Sequence, residues 1–163
     1  MVEDAAVAVV EKGAFAKVGC VLFAREIDKE NEQDFMTIRL PNYRKLYYAH
    51  PFLDVNQWNN KSVAYMGMDQ STKQWKRIET YGGKLVENIV QAIARDCLAE
   101  AIERLEAASY AVVMHVHDEV VIECPAHMAD LDAVVAIMAQ PVSWAPDLPM
   151  AADGWIGEFY KKG

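Results

Sequence analysis

Cysteine is scarce: Cys20, Cys97 and Cys124 are widely separated, odd in number and form no CxxC pair. That excludes a disulfide-built fold and a thiolate zinc site, and it points to reduced thiols in a cytoplasmic setting. Proline and glycine are also sparse, at 6 and 8 residues, and with 25% charged residues the composition is not that of a disordered chain. No apolar run is long enough to cross a bilayer and no signal-peptide pattern opens the chain, so no membrane partner is expected. Basic residues are in the minority, 16 Lys and Arg against 24 Asp and Glu, for a net charge of −8. A free-standing nucleic-acid binder usually carries a basic face. The deficit argues against that role for the chain alone, and less strongly against a catalytic piece whose grip on phosphates lies elsewhere.

What the chain does have is apolar content, 53% of 163 residues, enough for one domain with a core. Val2 to Lys12 reads as a short Ala- and Val-rich helix stopped by Gly13. It follows Met1 with no cap or leader, which suggests a chain cut from something longer. Phe35–Leu40 and Arg44–Tyr48 flank Pro41-Asn42-Tyr43 as one hairpin. Val63–Met68 and Gln74–Ile78 flank Asp69-Gln70-Ser71-Thr72 as a second. Tyr47, Tyr48, Trp58, Tyr65 and Trp75 read as half-buried sheet aromatics before they read as a base-stacking platform. Gly82-Gly83 breaks the strand pattern and Lys84 to Ala107 predicts the longest helix. Its expected apolar face is Val86, Val90, Ile93, Ala94, Cys97, Leu98, Ala101 and Leu105. Tyr110 to Glu123 is strand-like again, Asp130 to Ala139 helical, Trp144–Pro149 a loop, and Trp155–Tyr160 a last strand. The order predicts an α+β fold, an antiparallel sheet with a long helix packed on it.

Chemistry concentrates in Val112-Val113-Met114-His115-Val116-His117-Asp118-Glu119-Val120-Val121-Ile122. Two β-branched runs joined by His-Asp-Glu predict a hairpin, although its turn lacks the Gly or Asn that tight hairpins favour. Apolar residues on both sides predict strands covered on both faces. Two adjacent carboxylates beside such an interior are costly when unpaired, and a hard cation such as Mg²⁺ would remove the cost. A solvent-exposed turn with ordinary charges is an equal reading of the pattern. On the long helix, Lys84, Asn88, Gln91 and Arg95 form one polar stripe free of acids. That stripe suits phosphates and minor-groove acceptors, or is simply a solvated face.

Val116-His117-Asp118-Glu119-Val120 resembles the His-Asp-Glu motif at the palm hairpin turn of family A, DNA polymerase I-like DNA polymerases. Gln91-Ala92-Ile93-Ala94-Arg95-Asp96 is similar to the Gln-x-x-Ala-x-Asp of the helix preceding that hairpin, at matching spacing. Thr80-Tyr81-Gly82-Gly83-Lys84-Leu85-Val86-Glu87-Asn88, the opening Val2-Glu3-Asp4-Ala5-Ala6 and the closing Trp144–Pro149 resemble the bacteriophage branch. The resemblance covers nearly the whole chain and is strongest from Thr80 to Pro125. It implies that residues 1–163 are a C-terminal palm segment, part of a DNA-directed DNA polymerase in the cytoplasm of a bacterial host, phage or prophage encoded. It also implies primer–template DNA and dNTP as partners and Mg²⁺ as cofactor, in a two-metal nucleotidyl transfer. Asp118 would be the metal-binding catalytic carboxylate and Glu119 its supporting neighbour. His117 would lie near the primer terminus and Gln91 in the minor groove. Arg95, Lys84 and Arg77 are candidates for backbone phosphates, and His115 for a packing residue behind the turn.

Two family parts do not occur in the sequence. There is no Asp-[Phe/Tyr]-Ser-x-x-Glu to bring the partner carboxylate, and no Arg-x3-Lys followed by Tyr-Gly from the fingers. The isolated chain is therefore expected not to extend a primer. Two other readings stand beside this one. The first is a metal-dependent phosphodiesterase using His115, His117, Asp118 and Glu119, with His-x-His on one strand face. The second is a catalytically dead prophage remnant acting by protein contacts, self-associating through exposed interfaces.

Overall fold

The Ala/Val-rich opening forms α1 (Val2–Lys12), and Gly13 ends it at φ 66°, its N–H bonded to the Val9 carbonyl at 2.9 Å. The computed structural model describes residues 1–56 and 59–161. The chain divides into two compact units, Met1–Gln91 and Ala92–Gly163. In the first, β1 (Ala16–Val18), β2 (Val21–Asp28), β3 (Gln33–Arg39), β4 (Lys45–Val55), β5 (Lys61–Met68) and β6 (Trp75–Glu79) form one antiparallel sheet in chain order. α1 packs on it, and Ala6, Val9, Phe23, Met36, Ile38 and Ala64 are fully buried.

Both predicted hairpins of this unit form. The β3–β4 turn closes with Leu40 N–H on the Arg44 carbonyl at 2.8 Å, and Tyr43 takes the left-handed position at φ 69°. In the β5–β6 turn the Asp69 carboxylate accepts the N–H groups of Ser71 and Thr72 at 3.1 and 2.7 Å and pairs with Lys76 at 3.0 Å. Those bonds, the Thr72 N–H first, hold its pKa far below the usual carboxylate range. β4 runs past Tyr48 to Val55 over a bulge between Ala49 and Phe52. The bulge is what lets Pro51 sit within a strand, with His50 beside it at φ 45°.

β1 and β2 escape the sequence reading because Arg25 interrupts the alternation of Val21 and Phe23 toward α1. Its guanidinium is instead satisfied there, bonding Asp34 through Nε and Nη2 at 2.9 and 2.7 Å and the Val10 carbonyl through Nη1 at 2.6 Å. Of the aromatics, Tyr48 is buried and edge-on to Tyr65 at 5.0 Å, whereas Tyr47 and Trp75 are exposed. Trp58 lies outside the described residues.

The long helix is α2 (Gly82–Ala107). Its buried side chains in the first unit are Leu85 and Ile89; Val86 and Val90, expected in the core, are 43% and 58% exposed. Leu85, Val86, Ile89 and Val90 are all apolar, so the 3.6-residue period admits two stripes there, and the burial selects the one not chosen from sequence. Asn88 Nδ2 bonds the Tyr48 hydroxyl at 3.1 Å. Further along, Cys97, Leu98, Ala101 and Leu105 are buried as predicted. The helix ends in a Schellman arrangement with Ser109 at φ 68°: Ser109 N–H meets the Glu106 carbonyl at 2.9 Å and Tyr110 N–H the Leu105 carbonyl at 3.0 Å.

The second unit continues with the hairpin β7 (Val112–Val116) and β8 (Glu119–Ile122), a 3-10 turn at Ala126–Met128, and α3 (Leu131–Met138). Asp130 caps α3 by accepting the Ala133 N–H at 3.0 Å. Arg104 binds the Gln140 and Pro141 carbonyls at 3.0 and 2.9 Å, and the Trp144 indole donates to Glu100 at 2.8 Å. Trp155–Tyr160 is not a strand. Its composition is strand-like, but Gly157 weakens its centre and it joins no ladder among the described residues. The α+β class, with an antiparallel sheet and one long helix, is as the sequence predicts.

Candidate functional site

Val116 pairs with Glu119, so His117 and Asp118 alone form the loop of the β7–β8 hairpin. A two-residue loop demands a left-handed residue, normally Gly or Asn. His117 fills that position at φ 54°, one of the few non-glycine types that enter the region with any frequency. The turn thus thrusts Asp118 to the tip with Glu119 as the first residue of β8. Both carboxylates are exposed.

The expectation of strands covered on both faces is not met in this chain. Val113 and Met114 are 55% and 40% exposed, and the hairpin is a separate two-stranded sheet. A bulge between Val112 and Met114 leaves Val113 without a partner on β8. The cost of burying two acids therefore does not arise here, and the case for a cation rests on donor chemistry instead. Glu119 Oε2 accepts the Tyr160 hydroxyl at 3.2 Å, and burial first, then this bond, raises the Tyr160 pKa.

His115, expected to pack behind the turn, is exposed and lies with Nε2 3.3 Å from Arg95 Nη2 on α2. Since the guanidinium only donates, the contact as a hydrogen bond requires an unprotonated Nε2. A second link joins helix to hairpin: Glu106 accepts the Val112 N–H at 2.9 Å. The structure thus brings the Arg95 end of the helix motif beside the His-Asp-Glu hairpin, two stretches singled out separately in the sequence.

The phosphate candidates Lys84 and Arg77 and the minor-groove candidate Gln91 belong to the first unit and are engaged locally. Lys84 Nζ is 2.9 Å from Glu87, and Gln91 Nε2 donates to the same carboxylate at 3.2 Å. The stripe is therefore not free of acids, because Glu87 reaches across it at i+3 and i+4 spacing. Arg77 pairs with Asp54 and with Glu79, and its guanidinium lies 5.9 Å from the Phe52 ring centre. Exposed pairs of this kind are weak, about 1 kcal/mol or less, and a phosphate would compete with them.

As oxygen donors, Asp118 and Glu119 fit a hard divalent cation in kind. In number they fall short: among the described residues no three His, Cys, Asp or Glu side chains gather in a metal-holding cluster. His117 stands in the loop, not on β7, so the His-x-His pair does not share a strand face as the phosphodiesterase reading requires.

No family model and no solved structure matches the chain. Over 132 residues, 80% of its length, the chain is 49% identical to a protein named DNA polymerase from Bacillus phage SP02. The matched stretch spans 20% of that relative.

Proposed function

We propose that residues 1–163 are the C-terminal palm segment of a family A DNA polymerase of the phage type, with Asp118 as one of its catalytic carboxylates. The observation that carries this reading is the His117–Asp118 loop, which presents Asp118 and Glu119 at an exposed tip while Arg95 of the helix motif stands against the same hairpin. The 49% identity to a phage DNA polymerase supports it. Asp118, with Glu119 beside it, would hold Mg²⁺ together with a carboxylate from another segment. Bound there, Mg²⁺ would supply the charge stabilisation that phosphoryl transfer needs. His117 takes the left-handed position of the loop that carries Asp118, and its exposed side chain would meet a primer terminus. Arg95, and Gln91 one turn earlier on α2, offer donors to backbone and minor-groove acceptors. Primer–template DNA and dNTP are the partners of this reading, and a bacterial host cell infected by phage or carrying prophage is its setting.

Alone, the 163-residue chain is expected to add no nucleotide to a primer, since nucleotidyl transfer of this type uses carboxylates from two segments. Template-dependent incorporation by the purified chain, abolished by Asp118→Asn, would overturn that expectation. The positive test exchanges the matching stretch of the phage SP02 polymerase for this one and measures primer extension. Asp118→Asn in the active chimera should reduce the rate by about 10³-fold, some 4 kcal/mol of transition-state stabilisation, with primer–template affinity little changed. A chimera equally active with Asn at 118 would remove Asp118 from catalysis.

A further inference from the structure

Register places four residues in one row across the first unit's sheet: Lys17 opposite Leu22, Leu22 opposite Arg39, Arg39 opposite Lys45. Directly paired residues of antiparallel neighbours project from the same face. Three cations therefore share one face at one end of the sheet, in a chain of net charge −8. Like charges set directly opposite each other weaken a sheet. Arg39 does work against protonation of Lys45, although the Glu26 carboxylate outweighs it and raises the lysine pKa. Lys45 has its acid, Glu26, at 2.6 Å. Lys17 and Arg39 have none among the described residues. Elsewhere Arg25, Lys61, Lys76, Arg77, Lys84 and Arg104 each meet a carboxylate.

The two unmatched cations open onto one concavity of about 230 Å³, shared with Cys20, Leu22, Pro41 and Tyr43. Tyr43 is 74% exposed, with the Arg39 guanidinium 5.4 Å from its ring centre. Two cations without a carboxylate partner, bordering one concavity with an exposed aromatic, have the makeup of an anion site.

We propose that this concavity binds single-stranded nucleic acid, Lys17 and Arg39 meeting backbone phosphates and Tyr43 stacking on a base. Lys17 and Arg39 stand two strands apart, about 10 Å between backbones, which suits neighbouring phosphates of a chain better than one phosphate. Arg39 pre-orders the Tyr43 ring, and aromatic stacking accepts any base. The phosphate chemistry alone would also suit a free nucleotide; the choice of a polynucleotide rests on the polymerase reading.

The test is fluorescence anisotropy of a labelled oligothymidylate of about 12 nucleotides, within the site sizes of single-strand binders, titrated with the full chain at low salt. Lys17→Gln/Arg39→Gln should weaken binding and reduce the slope of log affinity against log salt by about 1.4, two phosphates at roughly 0.7 each. Tyr43→Ala should weaken binding tenfold or more with the slope unchanged. In a Cys124→Ser background, bound oligonucleotide should protect Cys20 from alkylation, Cys97 being buried. No binding by the unsubstituted chain at low salt, or undiminished binding by the double variant, overturns the proposal. Equal protection of Cys20 by thymidine monophosphate or inorganic phosphate makes this a small-anion site and overturns the polynucleotide assignment. All three substituted side chains are exposed, so unfolding midpoints should hold, and none belongs to the unit that carries Asp118. Failure of the primer-extension test and failure of this one are thus read separately.

Discussion

Replacing Arg25 by methionine keeps the aliphatic stem and removes a guanidinium that makes three bonds, two to Asp34 and one to the Val10 carbonyl. Val10 belongs to the last turn of α1, whose carbonyls lack helical partners. Gly13 serves Val9, and Arg25 serves Val10 while placing positive charge at the negative end of the helix. The Arg25 and Asp34 side chains are 23% and 26% exposed, so solvent reduces the pair's worth without erasing it. A bond from a charged donor contributes about 1.5–3 kcal/mol and the helix-end charge about 0.3–1 kcal/mol. With a partly exposed bidentate pair added, Arg25→Met should cost about 2–4 kcal/mol. Asp34→Asn keeps the shape, retains an acceptor and leaves the Val10 bond intact, so about 1 kcal/mol is expected. Urea unfolding followed by far-UV circular dichroism measures both; in thermal melts, 2–4 °C per kcal/mol separates roughly 5–15 °C from 2–4 °C. Equal losses in the two variants would show that the tether to α1 contributes nothing, and the reasoning from the Val10 bond would fail.

Ser109 closes α2 in the left-handed region at φ 68°, where glycine belongs; Ser109→Gly should raise the urea midpoint by about 1 kcal/mol of stability, and a lower midpoint would contradict the strain argument. The Glu26 carboxyl is held below its usual range chiefly by the Lys45 ammonium, with burial opposing and the Thr37 hydroxyl assisting. A depressed carboxyl pKa contributes stability above its unfolded value, lost as pH falls through the folded one. Lys45→Met should therefore cost stability at pH 7, with the gap from the parent closing below about pH 4; an equal gap at pH 7 and pH 3 would refute it. His117→Gly should leave the unfolding midpoint unchanged or higher, since glycine accepts φ 54° freely, while primer extension by the chimera falls; a clearly lower midpoint would make the imidazole a support of the hairpin instead.

Where an element's cues are local, the sequence shows it. Gly13 marks the end of α1, Pro41-Asn42-Tyr43 and Asp69–Thr72 mark their turns, and Asp130 marks the start of α3, because each supplies a dihedral or a cap within a few residues. What needed the fold was long-range. Arg25 hides β2 because its partners are 9 and 15 residues away. Pro51 hides the second half of β4 because a bulge forms only against β5. Val86 and Val90 were indistinguishable from Leu85 and Ile89 until packing chose between them. The hairpin and its loop residues were legible at Asp118, but not the exposure of β7, since apolar composition does not say what covers it. Arg95 and His115 were each noted in the sequence, and their contact was not. Lys17, Arg39 and Tyr43 carry no sequence motif at all. Their grouping depends on the register of three strands, the first two of which the sequence did not disclose.

The two functional readings meet in one physical criterion. A natural fold satisfies most local preferences, and those it overrides without local compensation are places to look for a ligand. His117 occupies a left-handed loop position that glycine or asparagine would fill at lower cost, and it sits directly before the exposed Asp118. Arg39 faces Lys45 across a strand pair and has no acid, in a chain with half again as many acids as bases. Asp69 makes the contrast. Its carboxyl is held far below the usual range chiefly by the Thr72 N–H and the Lys76 ammonium, partners that close its own hairpin, so the fold accounts for the perturbation and it implies no ligand. What draws attention to the Asp118 loop and the Lys17–Arg39 concavity is therefore the chemistry gathered there, an exposed carboxylate at a two-residue turn and two cations without an acid, and not the size of a perturbation.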